Sequence, residues 1–311
     1  MMKVDSGVIK GLEIFLAVIE ANGVSNAQTL LNKDTSVISR SLSALETRLG
    51  LVLCERGRQG FRLTDEGRQV AEEAIKLFSS FRSFENRMDS LGGRGSGRVA
   101  IGVIDNIIGE TRFSLDQAIS ELSNYFDGEL HIDLYIKNPY ELEKYLLDKR
   151  IDIALGIFER YHDALQYRPL YEEVDYLYAA PNNPAAILHS QGVTDGQLIE
   201  TLKYQNFAAR NFLNEADIEC LGYDLLADVS YTANLEAIAF LILSGRYVGF
   251  MPAQYAAPLV AQGRLTSILA KQIKRTSVMS FAYRKMEDKN RPVIGKSLSL
   301  LTKSKLAKNN K

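Results

Sequence analysis

Cysteine is scarce in this chain: Cys54 and Cys220 are the two in 311 residues, and they stand far apart. They build neither a disulfide framework nor a CxxC metal clamp. The three histidines, His131, His162 and His189, are not at metal-ligand spacing, and neither HExxH nor GxSxG occurs. Long apolar runs are missing as well. No segment offers about 18 consecutive apolar residues, so no membrane-spanning helix and no membrane partner are expected. Residues 1–10 place no apolar run behind a basic head, so no export signal is expected, and the cytoplasm is the expected compartment. A dominant charge is absent too. The net charge is -1, with +2 over residues 1–98 and -3 beyond, an asymmetry too mild to argue for or against nucleic acid. Phosphate-loop chemistry is excluded on order and spacing. Gly95-x-Gly97-x-x-Ala100 precedes a strand instead of following one, and Gly295-Lys296-Ser297 has Asn290 where the upstream glycine would stand. An enzyme is therefore not expected, and no cofactor beyond a small-molecule ligand is implied. What remains is a globular composition, 46% hydrophobic and 24% charged, long enough for two or three domains.

Periodicity organises the first 66 residues. Leu12, Phe15, Leu16 and Ile19 recur as one stripe of an amphipathic helix, stopped at Asn22-Gly23. Ser25 suits the N-cap of a short second helix over 26–31, and Ser25 and Asn26 are candidates for DNA contact. After a turn at Asn32-Lys33, Asp34 opens a third helix to Leu49, closed by Gly50. This helix has two stripes. Ile38, Leu42, Leu45 and Leu49 are apolar, whereas Ser36, Ser39, Arg40 and Ser43 carry hydroxyls and one guanidinium without an acid. Serine is a middling helix former, so three on one face need a reason. A face pressed into a DNA major groove supplies it: small side chains allow close approach, and arginine grips guanine with two hydrogen bonds. Leu51–Leu53 and Phe61–Leu63 then read as hairpin strands around a Gly-bearing tip. Arg56, Arg58 and Arg62 there suit phosphate or minor-groove contact.

The stretch from Leu12 to Gly67 resembles the winged helix-turn-helix of LysR-type transcriptional regulators. The resemblance rests on Ala27 in the second helix, Ser39-Arg40 in the third, Leu45-Glu46 and Leu49-Gly50 after it, and Leu63-Thr64-x-x-Gly67 at the end. Two positions depart from the family pattern. Asp34-Thr35 stands where Ser-Gln often opens the recognition helix, and Cys54 stands where Phe is usual. The resemblance implies that Thr35 joins Ser36, Ser39, Arg40 and Ser43 at the base edges of double-stranded DNA.

A long helix follows, capped by Thr64 with Asp65 and Glu66 in its first turn. Val70, Ala74, Leu77, Phe81, Phe84, Met88 and Leu91 repeat at spacings 4-3-4-3-4-3, a heptad seam that asks for a partner helix. The family resemblance makes this the dimer contact of a homodimer or homotetramer, which would read an interrupted inverted repeat. Four glycines over 92–97 read as a hinge.

Beyond the hinge, strands and helices alternate. Strands are expected over 99–104, 130–136, 151–157, 175–180, 247–251 and 277–283. Helices are expected over 114–125, 139–149 and 292–302. The overall fold class is thus α/β with an N-terminal α-helical winged helix-turn-helix. The domain reading is 1–66 for the DNA reader, 67–91 for the linker helix, 92–97 for the hinge and 98–311 for the sensor. RVAIG at 98–102, RIDIALG at 150–156 and SGRYVGFMP at 244–252 resemble the LysR effector domain, whose two Rossmann-like lobes resemble periplasmic binding proteins. Lobe I would take about 98–180 and 264–302, and lobe II about 181–263. A solute-binding module of that class is the alternative reading, but it leaves the serine-arginine helix, the wing and the seam without a use.

Ligands in doubly wound sheets sit beyond the carboxyl ends of strands. The resemblance places the effector between the lobes, near Asp105, Asn106, Asn138, Pro139 and Tyr140 on one side and Phe207, Ala208, Tyr231 and Thr232 on the other. Relatives often carry Ser or Thr where Asp105 stands and bind carboxylates. Asp105 would repel an anion and attract an amine; equally, it would serve as the cap of the next helix. RNA polymerase is a further candidate partner of such a regulator.

Overall fold

The computed structural model describes residues 4–57, 60–91, 98–110, 112–159, 161–212, 221, 228–285 and 292–303. The hinge at 92–97, Arg58 and Cys220 lie outside the described residues, as do the side chains of Arg56 and Leu91. The chain divides into two compact units, residues 1–88 and 89–311.

Three helices build the first unit: α1 (Ser6–Glu20), α2 (Val24–Leu31) and α3 (Thr35–Leu49). Their apolar stripes meet in one core, with Phe15, Val18, Ala27, Ile38 and Leu42 fully buried. Asn22 and Gly23, at φ 52° and 139°, stop α1 as expected. Gly23 is also the N-cap of α2, which corrects the expected cap at Ser25. One residue both ends α1 and begins α2, so Ser25 falls inside the first turn. Gly50 closes α3 at φ 67°. The wing is β1 (Cys54–Gly57) paired antiparallel with β2 (Gly60–Leu63). Its first strand thus starts later than the expected Leu51–Leu53. The reason is Glu46 on α3, whose Oε1 accepts from Leu53 N at 2.9 Å and Cys54 N at 3.4 Å. Those bonds occupy the backbone that a longer strand would need.

Helix α4 (Asp65–Leu91) begins at Thr64, whose Oγ1 accepts from Gly67 N at 2.9 Å. The heptad seam divides along its length. Ala71 and Ala74 are buried in the core of the first unit, and Val70 and Leu77 pack against it. Phe81, Phe84 and Met88 are 43%, 60% and 42% exposed. The seam is therefore not one uniform face for a partner; its first half already has a partner within the chain.

The second unit is one mixed sheet. Its strands are β3 (Arg98–Val103), β4 (His131–Ile136), β5 (Ile153–Ile157), β6 (Leu165–Ala179), β7 (Asn206–Arg210), β8 (Val229–Thr232), β9 (Tyr247–Pro252), β10 (Thr266–Ile268) and β11 (Lys274–Arg284). The spatial order is β4-β3-β5-β11-β6-β9-β7-β8, with β10 on β6. Three parallel strands stand at each end, β4-β3-β5 in lobe I and β9-β7-β8 in lobe II. Two long antiparallel strands, β6 and β11, run from one lobe to the other. Both exceed the expected 175–180 and 277–283, because each spans two cores. Leu170, Tyr171, Met279 and Phe281 belong to the lobe I core, and Leu177 of β6 and Ile273, just before β11, to that of lobe II. Edge strand β4 is less buried than its alternation suggests, since Leu134 and Ile136 are 48% and 65% exposed.

Helices α5 (Leu115–Tyr125), α6 (Pro139–Leu147) and α11 (Pro292–Lys303) cover lobe I. Helices α7 (Pro184–Ser190), α8 (Asp195–Leu202), α9 (Leu235–Leu243) and α10 (Ala253–Ala261) belong to lobe II. No helix of the described residues is long and apolar enough to cross a membrane.

Candidate DNA-reading face and effector cleft

The two stripes of α3 separate cleanly. Ile38, Leu42 and Leu45 face the core, while Ser36, Arg40 and Ser43 are exposed and Thr35 and Ser39 half-buried. Arg40 Nε donates to Ser36 O on its own helix at 3.2 Å. That contact uses one of the guanidinium's five N–H donors, and the residue is exposed. Ser25 and Asn26 are exposed on the first turn of α2. Asn26 Nδ2 also donates to Ala21 O at 3.0 Å, so this side chain helps to close α1. Arg62 is exposed on β2 of the wing.

In the second unit, the expected cleft residues fare unevenly. Phe207 and Ala208 are wholly buried inside β7, Phe207 in one core of lobe II and Ala208 in another. They do not face a cleft, because β7 lies between β9 and β8 and extends to Arg210 before it ends. Asn138 caps α6: its Oδ1 accepts from Glu141 N at 2.9 Å, and Pro139 fills the next position, buried. Tyr140 and Tyr231 are exposed. Thr232 Oγ1 donates to Asn234 O at 3.2 Å. Asn106, at φ 64°, lines a largely apolar cavity of about 370 Å³ in lobe I with Ile107, Ile108, Phe113, Leu134 and Ile136.

Asp105 acts as a cap, but not of the next helix. Its Oδ2 accepts from Leu235 N at 2.6 Å, at the start of α9 in the opposite lobe. A carboxylate at a helix N-terminus meets unpaired N–H groups and the positive end of the dipole. One charge from lobe I therefore holds lobe II.

A buried polar cluster lies where β6 and β11 pass between the lobes. Register pairs Asp175 with Arg275 and Glu173 with Ser277, so all four side chains share one face of the ribbon. All four are buried, as is Arg210 at the end of β7. Asp175 Oδ2 accepts from Arg275 Nη1 at 2.9 Å and Arg210 Nη2 at 3.4 Å. Glu173 Oε2 accepts from Gln254 Nε2 at 2.8 Å, and the same nitrogen reaches Glu110 Oε2 in lobe I at 3.4 Å. Glu110 is held by Arg112, whose guanidinium also lies 4.5 Å over the Tyr171 ring. None of these residues was singled out as a binding residue from sequence. The available signal was the phase of β6: Glu173 and Asp175 alternate in step with the buried Tyr171, Leu177 and Ala179.

Burial, and then the neighbouring charge of Asp175, push the Glu173 carboxyl up to about 7. A carboxyl raised in the folded state binds its proton more tightly there than in the unfolded chain. Its presence therefore favours folding below the ordinary range near 4.5 and progressively less as pH rises to about 7. Glu173→Gln removes that titration while keeping an acceptor for Gln254. The variant's advantage over the parent in urea unfolding should be larger at pH 8 than at pH 5 by roughly 2 kcal/mol. An equal advantage at both pH values would show that Glu173 carries no such penalty.

Comparison with known proteins places both units. Residues 9–68 match the bacterial regulatory helix-turn-helix protein of the lysR family, and residues 92–293 match the LysR substrate binding domain. The chain is 29% identical over 278 residues to the HTH-type transcriptional activator BauR of Pseudomonas aeruginosa, covering 89% of each chain. It is 26% identical over 261 residues to the activator AmpR of Rhodobacter capsulatus, covering 83% of this chain and 84% of that one. Among solved structures, CbnR, a LysR family transcriptional regulator, superposes with a TM-score of 0.62 at 19% identity, covering 95% of this chain and 98% of that one. Full-length CbnR complexed with its target DNA superposes at 0.60, also at 19% identity, over 95% and 99%. These relatives are transcriptional activators and regulators.

Proposed function

Because this chain belongs to the LysR family of bacterial regulators, we propose that it binds an interrupted inverted repeat near a promoter as a dimer or tetramer. A small molecule between the lobes then alters its regulation. The supporting observation is the exposed face of α3, where Thr35, Ser36, Ser39, Arg40 and Ser43 stand opposite a buried apolar stripe with no acid among them. These residues read the major groove, and Ser25, Asn26 and the wing arginines Arg56, Arg58 and Arg62 contact backbone or minor groove. Phe81, Phe84 and Met88 pair with a second copy, the exposed half of the seam being what an unpartnered helix leaves. The protein works in the cytoplasm, alongside RNA polymerase, and needs no cofactor besides its effector.

The effector carries an ammonium group. Two acids support this reading: Asp105, which reaches from lobe I to the start of α9 in lobe II, and Asp175 on the lobe-crossing strand β6, whose Oδ1 has no hydrogen-bond partner among the described residues. By linkage, the ligand shifts the regulator only by its difference in affinity for two lobe arrangements.

Footprinting the DNA upstream of the protein's own gene, with and without simple amines, tests both parts. A protected inverted repeat whose extent changes with an amine is the expected result. Arg40→Ala should weaken operator binding by about 1–3 kcal/mol and relax base preference at one position of each half-site. An unchanged ratio of operator to random-DNA affinity would remove Arg40 from the readout.

A further inference from the structure

Four buried side-chain polar atoms lack any hydrogen-bond partner among the described residues, and three of them belong to the lobe crossover: Asp175 Oδ1 on β6, Ser277 Oγ on the paired β11, and Nη1 of Arg210, which contacts Asp175. Their residues are 0%, 6% and 2% exposed. A buried polar atom without a partner is costly, and a charged one more so. Three such atoms on the strands that cross between the lobes, where two-lobed sheets take their ligands, call for a partner from outside the described residues.

The polarity of the three atoms names the occupant. A guanidinium nitrogen only donates, and an ionised carboxylate oxygen only accepts. A simple amine would satisfy Asp175 Oδ1 but leave Arg210 Nη1 bare, and would add positive charge beside Arg210 and Arg275. A simple carboxylate would do the reverse beside Asp175 and Glu173. Resting on the reading of the cleft as an amine-sensing site, we propose that the effector is a short-chain amino acid. Its carboxylate is held by Arg210 Nη1, its ammonium group by Asp175 Oδ1, and Ser277 Oγ bonds either end. The span is short because Asp175 and Arg210 already touch through their other atoms at 3.4 Å. Hydrogen bonds of about 2.8–3.0 Å to each therefore draw the ligand's two charges close together. The site also lies between the two lobe cores, so the ligand's grip on β7 and on the β6–β11 crossing reports directly on lobe arrangement.

The test is calorimetric titration of the full-length protein with glycine, 3-aminopropanoate and 4-aminobutanoate, beside ethylamine, propylamine, butylamine, acetate, propanoate and butanoate. One of the amino acids should bind at least about tenfold more tightly than both its amine and its acid counterpart, the value of one charge-assisted hydrogen bond. An amine that binds as tightly as the amino acid overturns the proposal while leaving the amine reading intact. Binding by the acids alone overturns both, and no binding by any of these compounds overturns the proposal. Ser277→Ala deletes a hydroxyl without a partner and should fold like the parent, yet lose affinity about fivefold or more for the amino acid. Arg210→Lys keeps the charge but loses the fork, and should weaken the amino acid while sparing the amine. Unchanged amino-acid affinity in both variants would place the ligand elsewhere and overturn the proposal.

Discussion

Gly67→Ala should unfold the DNA-reading unit under conditions where the parent chain is folded. On an exposed helix the same change adds up to about 1 kcal/mol of stability, since glycine is the poorer helix former. Packing reverses the sign here. A Cβ at Gly67 would stand 1.9 Å from Leu53 O and 3.1 Å from Thr64 Oγ1. The first obstacle is backbone, and it cannot rotate away. Thr64 Oγ1 donates to Val52 O at 2.6 Å while accepting from Gly67 N, so the chain before the wing and the first turn of α4 are fastened at this point. To make room, Leu53 must leave the core where it is fully buried, and the bonds from Leu53 N and Cys54 N to Glu46 must stretch. Overpacking of this kind costs roughly 3 kcal/mol or more, a drop of more than about 10 °C in the melting temperature of a domain this size. Operator binding should be lost with it. A melting temperature within a few degrees of the parent would mean that the wing yields easily and that the glycine serves another purpose.

The DNA-reading unit was the more legible part of the sequence because its signals are local. The two stripes of α3 repeat within fifteen residues, and each falls on the face its periodicity assigns. The error in the wing arose one step further out. Leu51–Leu53 has the composition of a strand, but the carboxylate that claims its backbone belongs to Glu46, on a different element. The heptad seam shows the same limit. Spacing alone cannot tell that Ala74 is covered by the chain's own core while Phe84 is not. In the sensor unit, the cleft hinges on pairings between distant segments. Asp105 meets Leu235, and Asp175 meets Arg275 and Arg210. The family resemblance puts Phe207 and Ala208 beside the effector, but they lie inside a strand that extends past them to Arg210, and both of its faces are covered. The acids of β6 were visible all along on the buried phase of an otherwise apolar strand. What they faced became clear only from the register with β11, a hundred residues later.

Asp175→Ala should be the most destabilising single change at the lobe crossover, at about 3–5 kcal/mol, and Arg210→Ala should cost less. The asymmetry follows from who shares whom. Asp175 Oδ2 accepts from two guanidinium groups, at 2.9 Å and 3.4 Å. Removing the carboxylate leaves Arg210, 2% exposed, with no acid at ion-pair distance among the described residues, and takes from Arg275 its shorter contact. Removing Arg210 instead leaves Asp175 still joined to Arg275. Urea unfolding of the full chain measures both, and the double variant Asp175→Leu with Arg210→Met completes the comparison. With neither charge buried, that double variant should recover much of the loss, because desolvating an ion pair offsets most of its attraction. Should Arg210→Ala prove the costlier single change, or the double variant no better than Asp175→Ala, the shared-carboxylate account fails. A double variant that folds and holds DNA but no longer answers to an amino acid would show why two charges are kept inside the crossover. In that outcome the pair contributes little net stability to the folded chain, and its value lies in the third party it recognises.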